Sequence, residues 1–238
     1  MKVADKEEPI EKTAEKTPKP ITLEDIKARH DVQVFLKKAD HNMEVIGYTE
    51  HGFRHAEIIS SRARQLLQQL GFDDRQPELA AIAAYLHDIG NAVNRYIHAQ
   101  AGAMLVYNIL HEMGMPPEEL ADVLTGVGNH EEDYGEPFCP VAAAVIIADK
   151  SDVDRSRVRN IQPARFDEHD RINYAAIFSS LTADKEKHTI TLALEIDNSI
   201  GSIMEYFELF LTRMILSRKA AETLGCQFSL TINGTKLL

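Results

Sequence analysis

Six residues stand out by type and order: His55, the adjacent pair His87-Asp88, His98, His130 and Asp149. His55 lies in HGFRHAE, the pair in YLHDIGN, His98 at the head of HAQAGAMLVYNIL, His130 in GVGNHEE and Asp149 in AAAVIIADKSD. His55 shares a helical stripe with Ile59 and Leu66 and therefore points inward, while Asp149 follows the apolar run Val145–Ala148. A buried carboxylate without a partner is costly, so it either raises its pKa or sits beside a cation. Inward imidazoles and carboxylates relieve one another when a divalent metal lies between them, and this donor mixture suits Fe, Mn, Co or Zn better than Ca. Consecutive helical side chains diverge by about 100°. His87 and Asp88 can reach one site only where their helix is ending, and Ile89-Gly90 supplies that ending. An Asp there can bridge two ions, one oxygen to each. A single inward His is more often a hydrogen-bonded core residue; the ordered set is what points to metal.

The elements that must carry these groups are helical. Thr22-Leu23-Glu24-Asp25 reads as a helix start, with Thr22 as cap and Asp25 at the third position, and Ile26, Val32, Phe35, Leu36 and Ala39 continue at helical spacing. Further helices are predicted over about 50–70, stopping at Gly71; from Pro77, in a first turn, to Gly90; over about 95–113; from Pro116-Pro117 through Val127; and over about 141–153. The last is apolar almost all round and so should be central. His188–Ile196 and Gln227–Ile232 alternate like strands, and Ser199–Thr223 between them reads as an amphipathic helix carrying Ile203, Phe207, Phe210, Leu211 and Met214. The expected organisation is a leader over residues 1–20, a helical body over 21–182 and an α+β appendage over 183–238 with two strands and one long helix. The leader, with five lysines, five acids and three prolines, is too polar to offset its ordering entropy and is expected to be disordered.

The chain has 238 residues, 26 basic against 37 acidic side chains and a formal charge of −11. That balance argues against a nucleic-acid polymer or an anionic membrane as partner, and an anionic substrate would need local positive charge or a metal. No apolar run approaches the roughly 20 residues of a spanning helix, and the first residues lack a signal-peptide core. Cys139 and Cys226 form no disulfide framework and read as small apolar residues. A cytoplasmic location is the expectation. Two strands are too few to stand alone, so pairing across a two-fold axis into a homodimer is expected.

The ordered set His55, His87-Asp88, Asp149 resembles the H…HD…D signature of the HD-domain metal-dependent phosphohydrolases, and five segments agree in order over about residues 48–155. The resemblance implies a mostly α fold, an HD-domain helical bundle, here with the C-terminal appendage outside it. It implies one metal held by His55, His87, Asp88 and Asp149, and a second completed by His98 and His130, with Asp88 bridging. The ions, two per chain, would be drawn from Fe, Mn, Mg, Co and Zn. Metal-activated water would attack the phosphorus of a phosphomonoester or phosphodiester, with a nucleotide among the expected small phosphorylated substrates. Asp88 and Lys150 are the candidate catalytic residues.

Arg54, Lys150 and Arg155 are candidate phosphate contacts, with Arg95 and Arg157 behind them. Against this, Lys150 could pair with Asp152 or Asp154, and Arg54 with Glu50 or Glu57. Glu131 and Glu132 read as surface acids, one of which could orient His130, and His51 as a remote candidate ligand. His30, His41, His111, His169 and His188 read as surface or structural. EEDYGEPF lacks the GYP order of the cyclic-dinucleotide-cleaving branch, and Asn91 stands where that branch favours Lys. Two other readings share the scaffold: a di-iron oxygenase, and a ligand-sensing module without turnover.

Overall fold

The computed structural model describes residues 19–160, 162 and 166–237; most of the expected leader lies outside them. The chain runs α1 (Leu23–Lys27), α2 (His30–Val45), α3 (Phe53–Leu70), α4 (Arg75–Leu86), a 3₁₀ turn (Ile89–Ala92), α5 (His98–Glu112), α6 (Pro117–Gly128), α7 (Pro140–Ser151), a second 3₁₀ turn (Arg155–Arg157), α8 (Glu168–Ala175), β1 (Ala176–Asp184), β2 (Thr189–Ile196), α9 (Ile203–Thr223), β3 (Gln227–Ile232) and β4 (Thr235–Lys236). The fold is mostly α, with a small C-terminal sheet.

Local chemistry sets many of the boundaries. Thr22 and Asp25 form the expected capping box of α1. The helix predicted to continue from there is interrupted at Arg29, whose backbone is extended and whose guanidinium holds Asp31 at 2.6 Å. Gly71 ends α3 in the left-handed conformation, φ +80°. Pro117 opens α6 and Pro140 opens α7. Cys139, expected to be an inert apolar residue, caps α7: its sulfur accepts from the Ala142 N–H.

α7 is central as expected. Every residue from Val141 to Ala148 is buried, and α3, α4, α6, α9 and β1 surround it. α4 is likewise buried from Leu79 to Leu86. These two helices deliver His87-Asp88 and Asp149 from the middle of the body.

The appendage differs from expectation. The sheet has four strands, in the order β1-β2-β3-β4, and the boundary expected at 182/183 falls inside β1. β1 and β2 are antiparallel, β2 and β3 parallel, β3 and β4 antiparallel. A parallel neighbour requires a crossover, which α9 supplies. Asn233-Gly234, both at positive φ, make the tight β3–β4 turn. Leu192, Leu194, Phe228 and Leu230 share one apolar core with Tyr206 and Phe210 of α9 and with α7. The sheet needs no strand from a second chain to complete it. Leu211, expected on the inner stripe of α9, is exposed. Among the described residues no helix is long and apolar enough to cross a membrane.

One close approach sets the site's geometry. A Cβ built on Gly90 would lie well inside contact distance of the His98 carbonyl oxygen and 2.5 Å from the Gly102 nitrogen. The turn after His87-Asp88 therefore packs backbone to backbone on α5, which only glycine permits. Gly90→Ala should destabilise the protein by about 3 kcal/mol, the upper end of typical overpacking costs, read as a Tm lower by about 6–12 °C in thermal unfolding.

Candidate metal centre

All six expected ligands converge. His55 sits in the first turn of α3, and His87-Asp88 follow the last residue of α4. His98 opens α5, His130 follows α6, and Asp149 lies in the last turn of α7. The four imidazoles are each 1% exposed. His87 keeps helical backbone while Asp88 turns to φ −92°, ψ 0°. This break lets two adjacent side chains face one site.

The tautomers are set by the backbone. Nδ1 of His87, His98 and His130 donates to the carbonyls of Ala84, Arg95 and Val127 at 2.7, 2.8 and 2.7 Å. A carbonyl can only accept, so Nδ1 carries the hydrogen and Nε2 is the nitrogen left to face the site. Nδ1 of His55 donates to Asp152 Oδ2 at 2.7 Å. Nε2 of His55 lies 3.3 Å from Nε2 of His87, and Nε2 of His98 lies 2.9 Å from Nε2 of His130. Two lone pairs at such distances repel unless a proton or a metal ion lies between them.

The carboxylates complete two clusters. Asp149 Oδ1 is 3.2 Å from His55 Nε2 and 3.6 Å from His87 Nε2. Asp88 spans both: Oδ2 is 3.3 Å from His87 Nε2 and Oδ1 3.5 Å from His98 Nε2. Asp88 Oδ2 is buried without a hydrogen-bond partner, which is the position expected of a ligand atom awaiting a cation. Glu131 Oε1 lies 3.1 Å from His98 Nε2, so the acid read from sequence as a surface or orienting group stands among the ligand atoms. The triads His55/His87/Asp149, His87/Asp88/His130 and His98/His130/Glu131 each bring their donor atoms within 4.8 Å of one another. The donor set therefore fits divalent metal.

The charges agree. Burial opposes protonation of His87, but Asp88 and Asp149 outweigh it and push its pKa up to about 10. Burial, and then the neighbouring His87 and His98, push His130 down to about 3. Burial opposes ionisation of Asp88 and Asp149, yet the adjacent His87 for Asp88, and Lys150 for Asp149, hold both well below the usual carboxylate range. The site calls for positive charge, and a proton on His87 relieves only one of its facing pairs.

Around the ligands several expectations change. Lys150 pairs not with Asp152 or Asp154 but with Asp149 Oδ2 at 2.7 Å and Glu132 Oε1 at 3.1 Å. Arg54, a candidate phosphate contact, instead grips Asp152 at 3.0 and 3.3 Å, and so braces the acid that orients His55. Arg155, another candidate, stands outside the cavity with its guanidinium 5.2 Å from the Tyr174 ring centroid. Arg95 and Arg157 do line the cavity, about 450 Å³ in volume, together with His51 and Arg213 of α9. His51 donates through Nδ1 to the Thr49 carbonyl at 2.7 Å, and its Nε2 faces Arg157 at 3.2 Å. Asn91 donates to Asp88 Oδ1 at 2.8 Å and so fixes the spanning carboxylate. His30, His41, His111, His169 and His188 are exposed, although His169 edges the cavity. Sequence reasoning missed Asp152 and Arg213. Asp152 hides in a charged run whose only signal is its spacing of three from Asp149, and Arg213 lies far along the chain.

Residues 48–154 match the family model of the HD domain. An uncharacterized protein of Methanocaldococcus jannaschii is 32% identical over 136 aligned positions, covering 48% of this chain and 52% of that protein. The chain thus spans about half the length of this curated relative.

Asp152→Ala should weaken metal binding about 10–100-fold, the usual effect of removing a ligand's outer partner, as read by calorimetric titration of metal into metal-free protein. Metal uptake should also release protons at pH 7–9, because a cation displaces the hydrogen that His87, with its raised pKa, otherwise holds. Titrations in buffers of different ionisation enthalpy check this.

Proposed function

We propose that this protein, whose residues 48–154 form an HD domain, is a metal-dependent phosphohydrolase acting on a small phosphoric ester. The observation that carries the reading is Asp88, whose two oxygens face separate imidazole pairs inside a buried site. Bound divalent ions, two per chain in this reading, would supply a water of lowered pKa and neutralise charge on the phosphoryl oxygens.

The chain's own groups do the rest. Lys150 and Asp149 hold each other; burial opposes the charge on Lys150, but Asp149 and Glu132 raise its pKa, so it remains an ammonium. It serves as a fixed positive charge beside the phosphoryl group and not as a base. Arg95 and Arg157 extend that charge along the cavity wall. His51, half-buried and held neutral first by desolvation and then by Arg157, offers Nε2 as an acceptor at the same place. Substrate, not solvent, would then fill the space beside Asp88. The overall charge of −11 favours a monomeric substrate over a nucleic-acid polymer or a membrane surface.

A panel of phosphorylated metabolites assayed anaerobically with Mn or Mg should release phosphate. The double variant His87→Ala, Asp88→Ala should lose both bound metal, by elemental analysis, and turnover. Full turnover in that variant would end the reading, and oxygen consumption without phosphate release would turn it toward an oxygenase. Lys150→Ala should keep bound metal and lower kcat about 100-fold.

A further inference from the structure

The cavity beside the metal-ligating groups has two kinds of lining. One is cationic, Arg95, Arg157 and Arg213. The other comes from α8, outside the matched HD segment, as Asp167, Asp170 and Asn173, with Asp133 also on the cavity. Among the described residues none of these three acids has an ion-pair partner, whereas Arg95 and Arg213 are paired with Glu131 and Glu132. Asn173 is 3% exposed; its Nδ2 donates to the His169 carbonyl at 2.9 Å, and its Oδ1 is buried without a partner. A buried acceptor left unmatched is costly. One oxygen of Asp167 accepts the Asp170 N–H at 2.7 Å. Burial, and then the like charge of Asp167, raise the pKa of Asp170, so its carboxylate is short of positive partners. Apart from the His169 ring, which also edges the cavity, the side-chain groups this lining leaves unmatched are acceptors.

We infer that the substrate is a phosphoester whose organic end carries hydrogen-bond donors, an ammonium or a vicinal diol, received by Asp170 and Asn173 while its phosphate is held by the arginines. This rests on the phosphohydrolase reading and adds the class of its leaving group. A cavity of about 450 Å³ falls in the lower part of the roughly 300–1,000 Å³ range of small-molecule sites, which suits a single metabolite touching both kinds of lining. Carboxylates that must discard water to bind discriminate against an ester end that cannot replace those hydrogen bonds.

The test is thermal shift on metal-loaded full-length protein with inorganic phosphate, propyl phosphate, O-phosphoethanolamine and glycerol 1-phosphate. At least one donor-bearing ester should half-saturate at a concentration about tenfold or more below that of propyl phosphate; which of the two does so separates ammonium from diol. Asp170→Ala, which leaves the backbone N–H bonded by Asp167 in place, should erase that gap and leave the propyl phosphate response unchanged. Asn173→Ala should narrow it. Equal half-saturation for all three esters, or a gap that survives Asp170→Ala, overturns the inference alone. No response to phosphate or to any ester takes down the phosphohydrolase reading, and this inference with it.

Discussion

Four buried imidazoles have their Nδ1 hydrogens committed away from the site, three to carbonyls three residues back and one to Asp152. This turns four nitrogens toward one another in space that water barely reaches. The arrangement is unfavourable by itself and becomes favourable around cations. A turn that accepts Nδ1–H on its own carbonyl fixes ring orientation without any distant partner, so three of the four rings are prepared locally, and the tertiary fold has to bring those turns together and set Asp152 behind His55.

That assembly depends on a few features of the body. The Gly90–α5 contact brings the turn bearing His87-Asp88 against the start of the helix bearing His98. The buried run of α7 carries Asp149 outward to the end of the core. Asp152, 1% exposed, is held by Arg54 and by the Arg157 guanidinium, which also binds its carbonyl at 2.9 Å. Burying such a set is costly unless every member is matched. Here Asp152 orients a ligand while two arginines compensate its charge.

The converging His/Asp set was legible in the sequence because its members fall in order in short segments at helix starts and ends, as with His87-Asp88 before the stop at Ile89-Gly90. The central place of α7 followed from its lack of a polar face. What was not legible came from distance or from weak local signals. β1 begins directly at the end of α8 and carries several exposed or half-buried residues, so no clean alternation marks it. The interruption at Arg29 has no proline or glycine to announce it. A basic residue near a candidate ligand looks the same in sequence whether it faces substrate or a supporting acid; only the position of Asp152 shows that Arg54 braces that acid. Glu131 looked like one more acid at a helix end until His98, from another helix, was found beside it.

Arg213 reaches back from α9 to Glu132 at 2.9 Å, and Glu132 in turn holds Lys150 beside Asp149. The recognisable segment of the chain and the cooperative unit of the chain are thus different things. A fragment trimmed to residues 48–154 would contain every proposed ligand, yet it would bare the flank of α7 that α9 covers and strip Glu132 of one of its two countercharges. Portability of this motif between proteins is accordingly constrained by whatever each host supplies to cover that flank and balance that acid.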